Sequence, residues 1–425
     1  MFFEIIVVIP FVVLLLSIAV LPFIKAHWWH KNYPKLVAVL SALILAYYLV
    51  FLREPSEVLI TIEEYLSFIA LLFSLFVVSG GIFIDIKGRS SPLKNTGILL
   101  FGAVIANLFG TTGAAMLLIR SFINYNNYRI HPYHIIFFIF IVCNVGGSLT
   151  PIGDPPLFLG YLKGVPFFWT IEHLFEIWII TIAYLLVLFF IIDTYNYKKK
   201  HENLLPDKNA EDGTKKKERI EIKGAFNMIF LLMIIGSVFI TEPIFIRELI
   251  MVACAMISYK LTSKKIHDDN KFNFGPIKEV AILFFGIFVT MIPALELLSK
   301  HADDFGLSHP GHFYWVTGVL TSFLDNAPTY LNFLTASMGI YDLSILNVED
   351  VLTFIDTKAV YLVAISVSSV FFGAMTYIGN GPNFMVKSIA DYNKINMPSF
   401  FGYMYKYSLV ILLPFYFLLW YFIFR

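Results

Sequence analysis

The sequence predicts an all-α, polytopic membrane protein built from inverted repeats, and three observations support this fold class. Of the 425 residues, 58% are hydrophobic and only 14% are charged, whereas a soluble domain carries about 25% charged residues. Apolar runs long enough to cross about 30 Å of hydrocarbon recur along the chain. A ten-residue motif in the first half of the chain also returns in the second half.

Charge and cysteine content narrow the function class further. The formal net charge is +1, which gives no reason to expect a nucleic-acid partner. The two cysteines, Cys143 and Cys254, lie in apolar runs and are typical of small core residues in a protein without a disulfide framework. No phosphate-binding loop is present in the sequence, which argues against transport driven by ATP.

Twelve apolar segments are predicted along the chain. In order, they are 5–24, 35–52, 66–84, 97–123, 134–162, 172–192, 225–241, 244–261, 278–298, 312–339, 359–390 and 401–424. Four of them carry polar and helix-breaking residues near their centres, namely FGTTG in 97–123, GSLTPIGDPP in 134–162, LDNAPT in 312–339 and TYIGNGPN in 359–390. Irregular backbone at membrane depth is tolerated only when it is buried in protein or lines a wet cavity. These four breaks therefore predict one shared cavity.

The distribution of Lys and Arg predicts the topology. If 97–123 and 312–339 each enter and leave by the same face, the basic loops fall on one side and the acidic loops on the other. The basic loops are 25–35, 85–96, 120–133, 193–223 and 260–278. The prediction is about ten spans, two re-entrant hairpins and two broken helices, with both termini outside the cell and the multi-pass chain in a bacterial cytoplasmic (inner) membrane.

The repeated motif divides the chain. GSLTPIGDPP at 147–156 aligns without gaps on GAMTYIGNGP at 373–382, and the loop charges give the two halves opposite orientation. The predicted division is an extra N-terminal span at 1–34, a first repeat at 35–192, a basic cytoplasmic linker with an extra span at 193–243, and a second repeat at 244–425. Inverted repeats with broken helices are typical of secondary transporters whose site lies at the midplane.

Two aspartates at the breaks are the leading site candidates. Asp154 precedes two prolines, so it is interpreted either as a helix N-cap or as a carboxylate exposed to the cavity, and the two roles are compatible. Asn380 occupies the equivalent cap position. In LDNAPT, Asn326 is predicted to cap the following half-helix, which leaves the Asp325 carboxylate without a capping role and free to bind a cation or a proton. A carboxylate that is costly to keep ionised is suited to exchanging a cation for a proton.

Hard oxygen donors surround these aspartates in the sequence, and such oxygens suit Na⁺ better than a soft metal. Individually each is more often a helix-packing residue, but together they mark the four breaks. The predicted cation- and proton-binding residues are Asp325, Asp154, Asn326, Thr150, Thr376, Asn380, Thr111, Thr112 and Asn107, with Asp325 and Asp154 as the sodium ligands. Asn144, Thr329 and Asn383 are further oxygen donors at the breaks. No cofactor is expected, and Na⁺ and H⁺ are the cargo.

The paired hairpin tips, GTTG at 110–113 and DNAPT at 325–329, and the paired broken helices, TPIGD at 150–154 and TYIGN at 376–380, resemble those of the ion transporter superfamily. That group includes sodium/dicarboxylate and citrate carriers, arsenite pumps and NhaD-type sodium/proton antiporters. The resemblance covers roughly 35–424. It implies an elevator-type carrier, a moving domain of hairpins and broken helices, and a homodimer in the bilayer. The Ser-Asn-Thr hairpin signature of the dicarboxylate carriers is absent.

Three hypotheses follow. The leading one is exchange of Na⁺ or Li⁺ for H⁺, because two carboxylates and no Lys or Arg lie at the four breaks. The alternative is a Na⁺- or H⁺-coupled citrate or dicarboxylate transporter, because half-helix N-termini bind carboxylates without a basic residue. The third, an intramembrane aspartyl protease using Asp154 and Asp325, is disfavoured because residue 151 is proline where a Gly-x-Gly-Asp motif needs glycine. The protein is therefore not expected to be an enzyme.

Overall fold

The computed structural model describes residues 2–203, 219–240, 242–243 and 245–425. It is 79% helical, and the described residues form a single two-stranded sheet. Nine of the described helices are long and apolar enough to cross a membrane. The predicted class, an all-α polytopic membrane protein, is confirmed.

The helices follow one another with short connections. Their bounds are α1 Phe2–Ile24, α2 Ala26–Ala46, α3 Pro55–Gly80, α4 Pro92–Tyr125, α5 Pro132–Ile141, α6 Pro155–Leu162, α7 Trp169–Asn203, α8 Asn227–Ser237, α9 Ile246–Leu261, α10 Lys264–Asp269, α11 Gly275–Lys300, α12 Pro310–Phe323, α13 Asn326–Gly339, α14 Val348–Phe371, α15 Gly381–Tyr392, α16 Phe400–Tyr403 and α17 Leu413–Leu419. The 3₁₀ turns are Val145–Leu149, Ala302–Phe305 and Phe372–Met375, and π-helical segments follow α2, α16 and α17 at Tyr47–Leu52, Met404–Leu412 and Trp420–Phe424. Strands β1 Phe83–Lys87 and β2 Arg219–Lys223 pair antiparallel.

The first predicted hairpin is α4, which folds back on itself at Gly110. Gly110 has φ 72° and ψ 157°, a conformation that glycine adopts without steric cost. Asn95 and Asn126, near the two ends of α4, exchange side-chain hydrogen bonds of 2.8 and 3.0 Å. In a straight helix these residues would lie about 46 Å apart. We call α4 hairpin 1.

The second predicted hairpin consists of α12 and α13, which meet at Leu324 and Asp325. The Tyr361 hydroxyl donates to the carbonyl of Ser308, just before α12, at 2.7 Å, and it accepts from the hydroxyl of Tyr341, just after α13, at 2.9 Å. One side chain therefore contacts both ends of the pair, so that α12 and α13 run antiparallel. We call them hairpin 2.

Both predicted broken helices are present. The first runs from α5 to α6 and the second from α14 to α15, and each break contains a 3₁₀ turn and an extended segment. The repeated glycines explain the tight geometry: a Cβ on Gly153 would collide with the carbonyl oxygen of Gly147, and a Cβ on Gly379 would lie 2.7 Å from that of Gly373. The same close approach in both halves requires glycine at both positions.

The basic loops gather at one face of the molecule. Strand β1 pairs with β2, Arg129 Nε donates to Ser90 Oγ at 2.7 Å, and Asn270 Nδ2 donates to the carbonyl of Gly80 at 2.9 Å. Parts of the predicted basic loops are helical: α2 begins at Ala26, α7 continues to Asn203, and α10 lies within 260–278. The central part of the predicted linker, 204–218, lies outside the described residues.

Both chain ends lie at the opposite face. Glu4 is 3.4 Å from His301, and the Phe424 ring is 4.8 Å from the ring of Tyr314, near the start of α12. The described chain ends therefore share a face.

The packing of the helices repeats. Helix α1 packs against α2 and α11, and α8 packs against α9 and α3. Helix α3 packs against α9, and α11 packs against α2. Each half thus contributes three helices to one packed group, in which α1, α2 and α3 meet α8, α9 and α11. The division at 35–192 and 244–425 stays a prediction; in this packing α1 and α8 occupy equivalent places.

A disulfide tests the fold of hairpin 1. In a background with Cys143 and Cys254 replaced by alanine, the pair Asn95→Cys/Asn126→Cys is expected to cross-link on mild oxidation, because the two side chains are hydrogen-bonded to each other at the base of the hairpin. Counting free thiols after denaturation measures the yield.

The matched control is Leu108→Cys/Asn126→Cys, which pairs the tip of hairpin 1 with its base and is expected to keep both thiols free. Equal cross-linking of the two pairs, or none in the first, would contradict the folded-back arrangement.

Candidate functional site

The Asp154 carboxylate lies where all four breaks meet. Thr111 of hairpin 1 donates its hydroxyl to Oδ1 at 2.7 Å, and Asn380 of the second broken helix donates its amide to Oδ1 at 3.0 Å. Asn326 of hairpin 2 donates to Oδ2 at 2.6 Å. Asp154 itself belongs to the first broken helix and is 1% exposed. We call Asp154, Thr111, Asn326 and Asn380 the four-break site.

Asp154 does not serve as the cap of its own helix. It occupies the N-cap position of α6 with extended backbone, φ −142° and ψ 142°, but its side chain accepts no capping hydrogen bond. Asn380 behaves in the same way at the start of α15. Both side chains turn toward the other breaks, so the interpretation of Asp154 as a helix cap alone is wrong. The first turns of α6 and α15 are left without a side-chain cap.

The predicted roles of Asp325 and Asn326 are exchanged. Asp325 is the N-cap of α13, and its Oδ1 accepts from the backbone N–H of Ala327 at 3.1 Å. Asn326, the predicted cap, is the first helical residue, and its amide reaches Asp154 instead. An N-cap side chain accepts from the N–H groups of the first turn, so the cap is the residue just before helical backbone begins. The part-buried Asp325 is thus not spare, and its assignment as the exchanging group stays a prediction.

Thr150 and Thr376 fasten each broken helix to the hairpin of its own half. The Thr150 hydroxyl donates to the carbonyl of Asn107 at 2.6 Å and accepts from the N–H of Gly153 at 3.1 Å. The Thr376 hydroxyl donates to the carbonyl of Ser322 and accepts from the N–H of Gly379 in the same pattern. These hydroxyls stabilise the breaks, and their predicted role as cation ligands stays untested.

Asn107 also holds irregular backbone in place. Its amide donates to the carbonyl of Gly146 at 2.7 Å, and its side-chain oxygen accepts from the N–H of Leu149 at 2.9 Å. Both partners belong to the first broken helix. The predicted ligand oxygen of Asn107 is therefore engaged in joining hairpin 1 to that helix.

Thr112 lies at the edge of the site. It is part-buried and lines a cavity of about 60 Å³ together with Thr111, Gly153 and Pro155. The cavity lies between the tip of hairpin 1 and helices α3 and α11. Its volume suits a cation or a few waters, and it lies directly beside the four-break site.

The four-break site has one carboxylate and neutral donors. The nearest basic residues expected from the sequence have other partners: Lys163 Nζ lies 2.6 Å from Glu64, and Lys387 Nζ lies 2.6 Å from Asp391. Asn326 Oδ1 is buried and finds no hydrogen-bond partner within the described part of the chain. A carboxylate and a buried amide oxygen are the ligands that hard cations prefer, so the arrangement can hold a cation or a proton.

Two further asparagines join the broken helices. Asn144 donates to Asn383 Oδ1 at 2.8 Å, and Asn380 donates to Asn144 Oδ1 at 3.3 Å. Asn383 in turn donates to the carbonyls of Gly373 and Thr376 at 2.8 and 3.0 Å. The sequence analysis singled out both residues because they lie within or next to the breaks. The two broken helices therefore contact each other through amides.

The sequence analysis missed a buried cluster around Asp193 of α7. Arg129 donates to both carboxylate oxygens of Asp193 at 2.7 Å, and Tyr133 donates its hydroxyl at 2.6 Å. Asn95 donates to Oδ2 at 3.0 Å. A charged residue at the end of an apolar run was the available signal. The cluster fixes the base of hairpin 1 against α5 and α7, away from the four-break site.

Comparison with known families gives a match. A family model described as putative citrate transport matches residues 2–424, nearly the whole chain. A comparison with curated proteins found no match.

Replacing Asp154 is expected to remove cation binding, whereas the same change at Asp325 is not. Na⁺ is expected to raise the thermal unfolding temperature of the unmodified protein, and Asp154→Asn should abolish that rise because it leaves the four-break site without a charge. Asp325→Asn keeps an effective N-cap and should retain the rise. Thermal unfolding of both purified variants over a Na⁺ titration measures the difference, and the reverse order would return the ion-binding role to Asp325.

Removing either repeated hydroxyl is expected to destabilise the protein. Thr150→Val and Thr376→Val each leave a buried carbonyl unpaired, at a cost of about 1–3 kcal/mol. Both should lower the unfolding temperature in detergent. Thr112→Val, at the edge of the cavity, is the matched control and should change the free energy of unfolding by less than about 0.5 kcal/mol. An equal effect of all three changes would argue against the fastening role.

Proposed function

The chain belongs to the putative citrate transport family, and on that premise we propose that it is a secondary transporter carrying citrate or a related di- or tricarboxylate together with Na⁺ or H⁺. The observation that carries the proposal is the composition of the four-break site. It combines a carboxylate without a basic partner and two half-helix N-termini without side-chain caps. The first feature suits a cation, and the second suits an anion.

The cation would bind at Asp154. The carboxylate already gathers one donor from each of the other three breaks, so an ion placed there lies where both hairpins and both broken helices meet. The buried Asn326 Oδ1, unpaired among the described residues, is a second oxygen. Burial excludes water, which strengthens every electrostatic interaction in the site.

The anion would bind at the N-termini of α6 and α15. Each begins directly after a residue of the four-break site, Asp154 or Asn380, and these two side chains contact each other. The positive end of each helix dipole attracts a carboxylate, and the backbone N–H of Gly381 can donate to it, whereas the other residues at the first two helical positions are prolines, which have no N–H. Together with the family match, this charge favours the carboxylate carrier over a plain cation/proton exchanger.

Coupling follows from the charge of Asp154. An ionised carboxylate repels an anion about 4 Å away by about 4 kcal/mol at an effective dielectric constant of 20. A bound Na⁺ or H⁺ cancels that charge. We infer that the cation binds first and that the carboxylate substrate binds only to the cation-loaded site.

Na⁺ or Li⁺ exchange for H⁺ is the second candidate. It is favoured by one observation: the hydrogen-bond donors around Asp154 are all neutral. In that function the two helix N-termini would serve only to stabilise the break.

We also propose that the basic face is cytoplasmic, following the excess of Lys and Arg, which puts both termini outside in a bacterial cytoplasmic membrane. A homodimer, with hairpins and broken helices as its moving domain, is implied by the resemblance and forms part of the proposal. Transport, not catalysis, is the proposed activity.

The experiment uses proteoliposomes containing the purified chain. Uptake of labelled citrate is expected to be saturable, to require an inward Na⁺ or H⁺ gradient, and to fall at least tenfold in Asp154→Asn. Asp391→Asn, which removes a part-exposed carboxylate paired with Lys387, is the matched control and should retain uptake.

A pH-sensitive dye in an acid-loaded lumen separates the two candidates. A Na⁺ or Li⁺ pulse that raises lumenal pH without citrate, together with no citrate uptake, would replace the carboxylate carrier with the cation/proton exchanger. Citrate-dependent uptake without that response would support the first candidate.

A further inference from the structure

The repeat makes Asp154 and Asn380 equivalent positions that touch. They align in the repeated motif, their backbones match at φ −142°, ψ 142° and φ −152°, ψ 140°, and each follows by four residues a threonine that binds the hairpin of its half. Their side chains hydrogen-bond at 3.0 Å. The equivalence fails only in chemistry, because one half supplies a carboxylate and the other an amide.

The amide nitrogen of Asn380 lies among three oxygen atoms. It is 3.0 Å from Asp154 Oδ1, 3.1 Å from the carbonyl oxygen of Cys143 and 3.3 Å from Asn144 Oδ1. All four residues are at most 2% exposed. Hard cations bind preferentially where several oxygens converge in a buried position, one of them on a carboxylate. Here the N–H₂ group satisfies those oxygens instead.

We propose that Asn380 fixes the cation count of the site at one Na⁺ per chain, because its amide hydrogens satisfy the oxygens that a second cation would bind. This inference rests on the proposed function, since it assigns the coupling ion of that same site. Two cations would bind a carrier with a carboxylate at both equivalent positions. One cation binds this chain, beside Asp154.

Asn380→Asp should therefore create a second cation site. The change removes the two N–H donors and adds a carboxylate oxygen, so four oxygens face one another and two of the side chains are acidic. The nearest hydrogen-bonding groups are acceptors. A second Na⁺ then supplies the positive charge that the amide N–H donors supplied in the unmodified protein.

Binding of ²²Na⁺ alone to purified protein counts the ions. The expected numbers per chain are about one for the unmodified protein, two for Asn380→Asp, none for Asp154→Asn and one for the exchange Asp154→Asn/Asn380→Asp. The exchange variant keeps one carboxylate and one amide but swaps their positions. It shows whether the site binds the cation with the carboxylate at position 380 as well as at position 154. Size-exclusion chromatography and circular dichroism verify the fold of each variant.

The Na⁺ dependence of citrate uptake gives an independent readout, with a Hill coefficient rising from near one to near two in Asn380→Asp. One Na⁺ bound by folded Asn380→Asp, or two or none by the unmodified protein, would overturn the inference. The ion count needs no citrate, so loss of citrate transport with the expected counts would reject the proposed substrate and leave the role of Asn380 standing.

Discussion

The buried carboxylate of Asp154 is the constraint on which the rest of the structure depends. A charge removed from water is costly unless hydrogen bonds or a counter-ion replace the lost hydration. Here the replacement comes from three separate elements, through Thr111, Asn326 and Asn380. Both hairpins and both broken helices must reach the same point for this to happen. The single carboxylate thus specifies how four otherwise separate irregular segments meet.

Breaking four helices in an apolar environment frees backbone groups that need partners. The repeated residues of the motif supply them: Thr150 and Thr376 each bind one hairpin carbonyl, and Asn383 binds two carbonyls of its own broken helix. The glycines permit the close approach, as at Gly110, whose neighbour Thr111 donates its N–H to the carbonyl of Gly153 at 2.8 Å. Most polar residues at the breaks therefore stabilise the backbone, and few remain to contact cargo.

Local sequence chemistry predicted the architecture better than it predicted the site. Helix breakers inside apolar runs, loop charge and the repeated motif were enough to identify the hairpins and the broken helices. Both kinds of element depend on local backbone propensity and on the spacing of apolar residues, which the sequence shows directly. The direction of a side chain at a break depends on the residue at which helical backbone begins. One residue of difference makes Asp325 the cap and sends Asn326 to Asp154. The Asp193 cluster joins residues 60 to 98 positions apart, which no local pattern relates.

Helix α6 links the four-break site to α3 and to the end of α8. It has eight residues, about 12 Å of helix, with Asp154 before its first turn and Lys163 after its last. Lys163 pairs with Glu64 of α3 at 2.6 Å, and Tyr161 donates to the carbonyl of Val238, just after α8, at 2.7 Å. Motion of the hairpins and broken helices past α3 and α8 would have to separate these partners. A change of charge at Asp154 and the release of Lys163 would therefore act on the two ends of one short helix, which would give a bound cation a mechanical route to the contacts with α3 and α8.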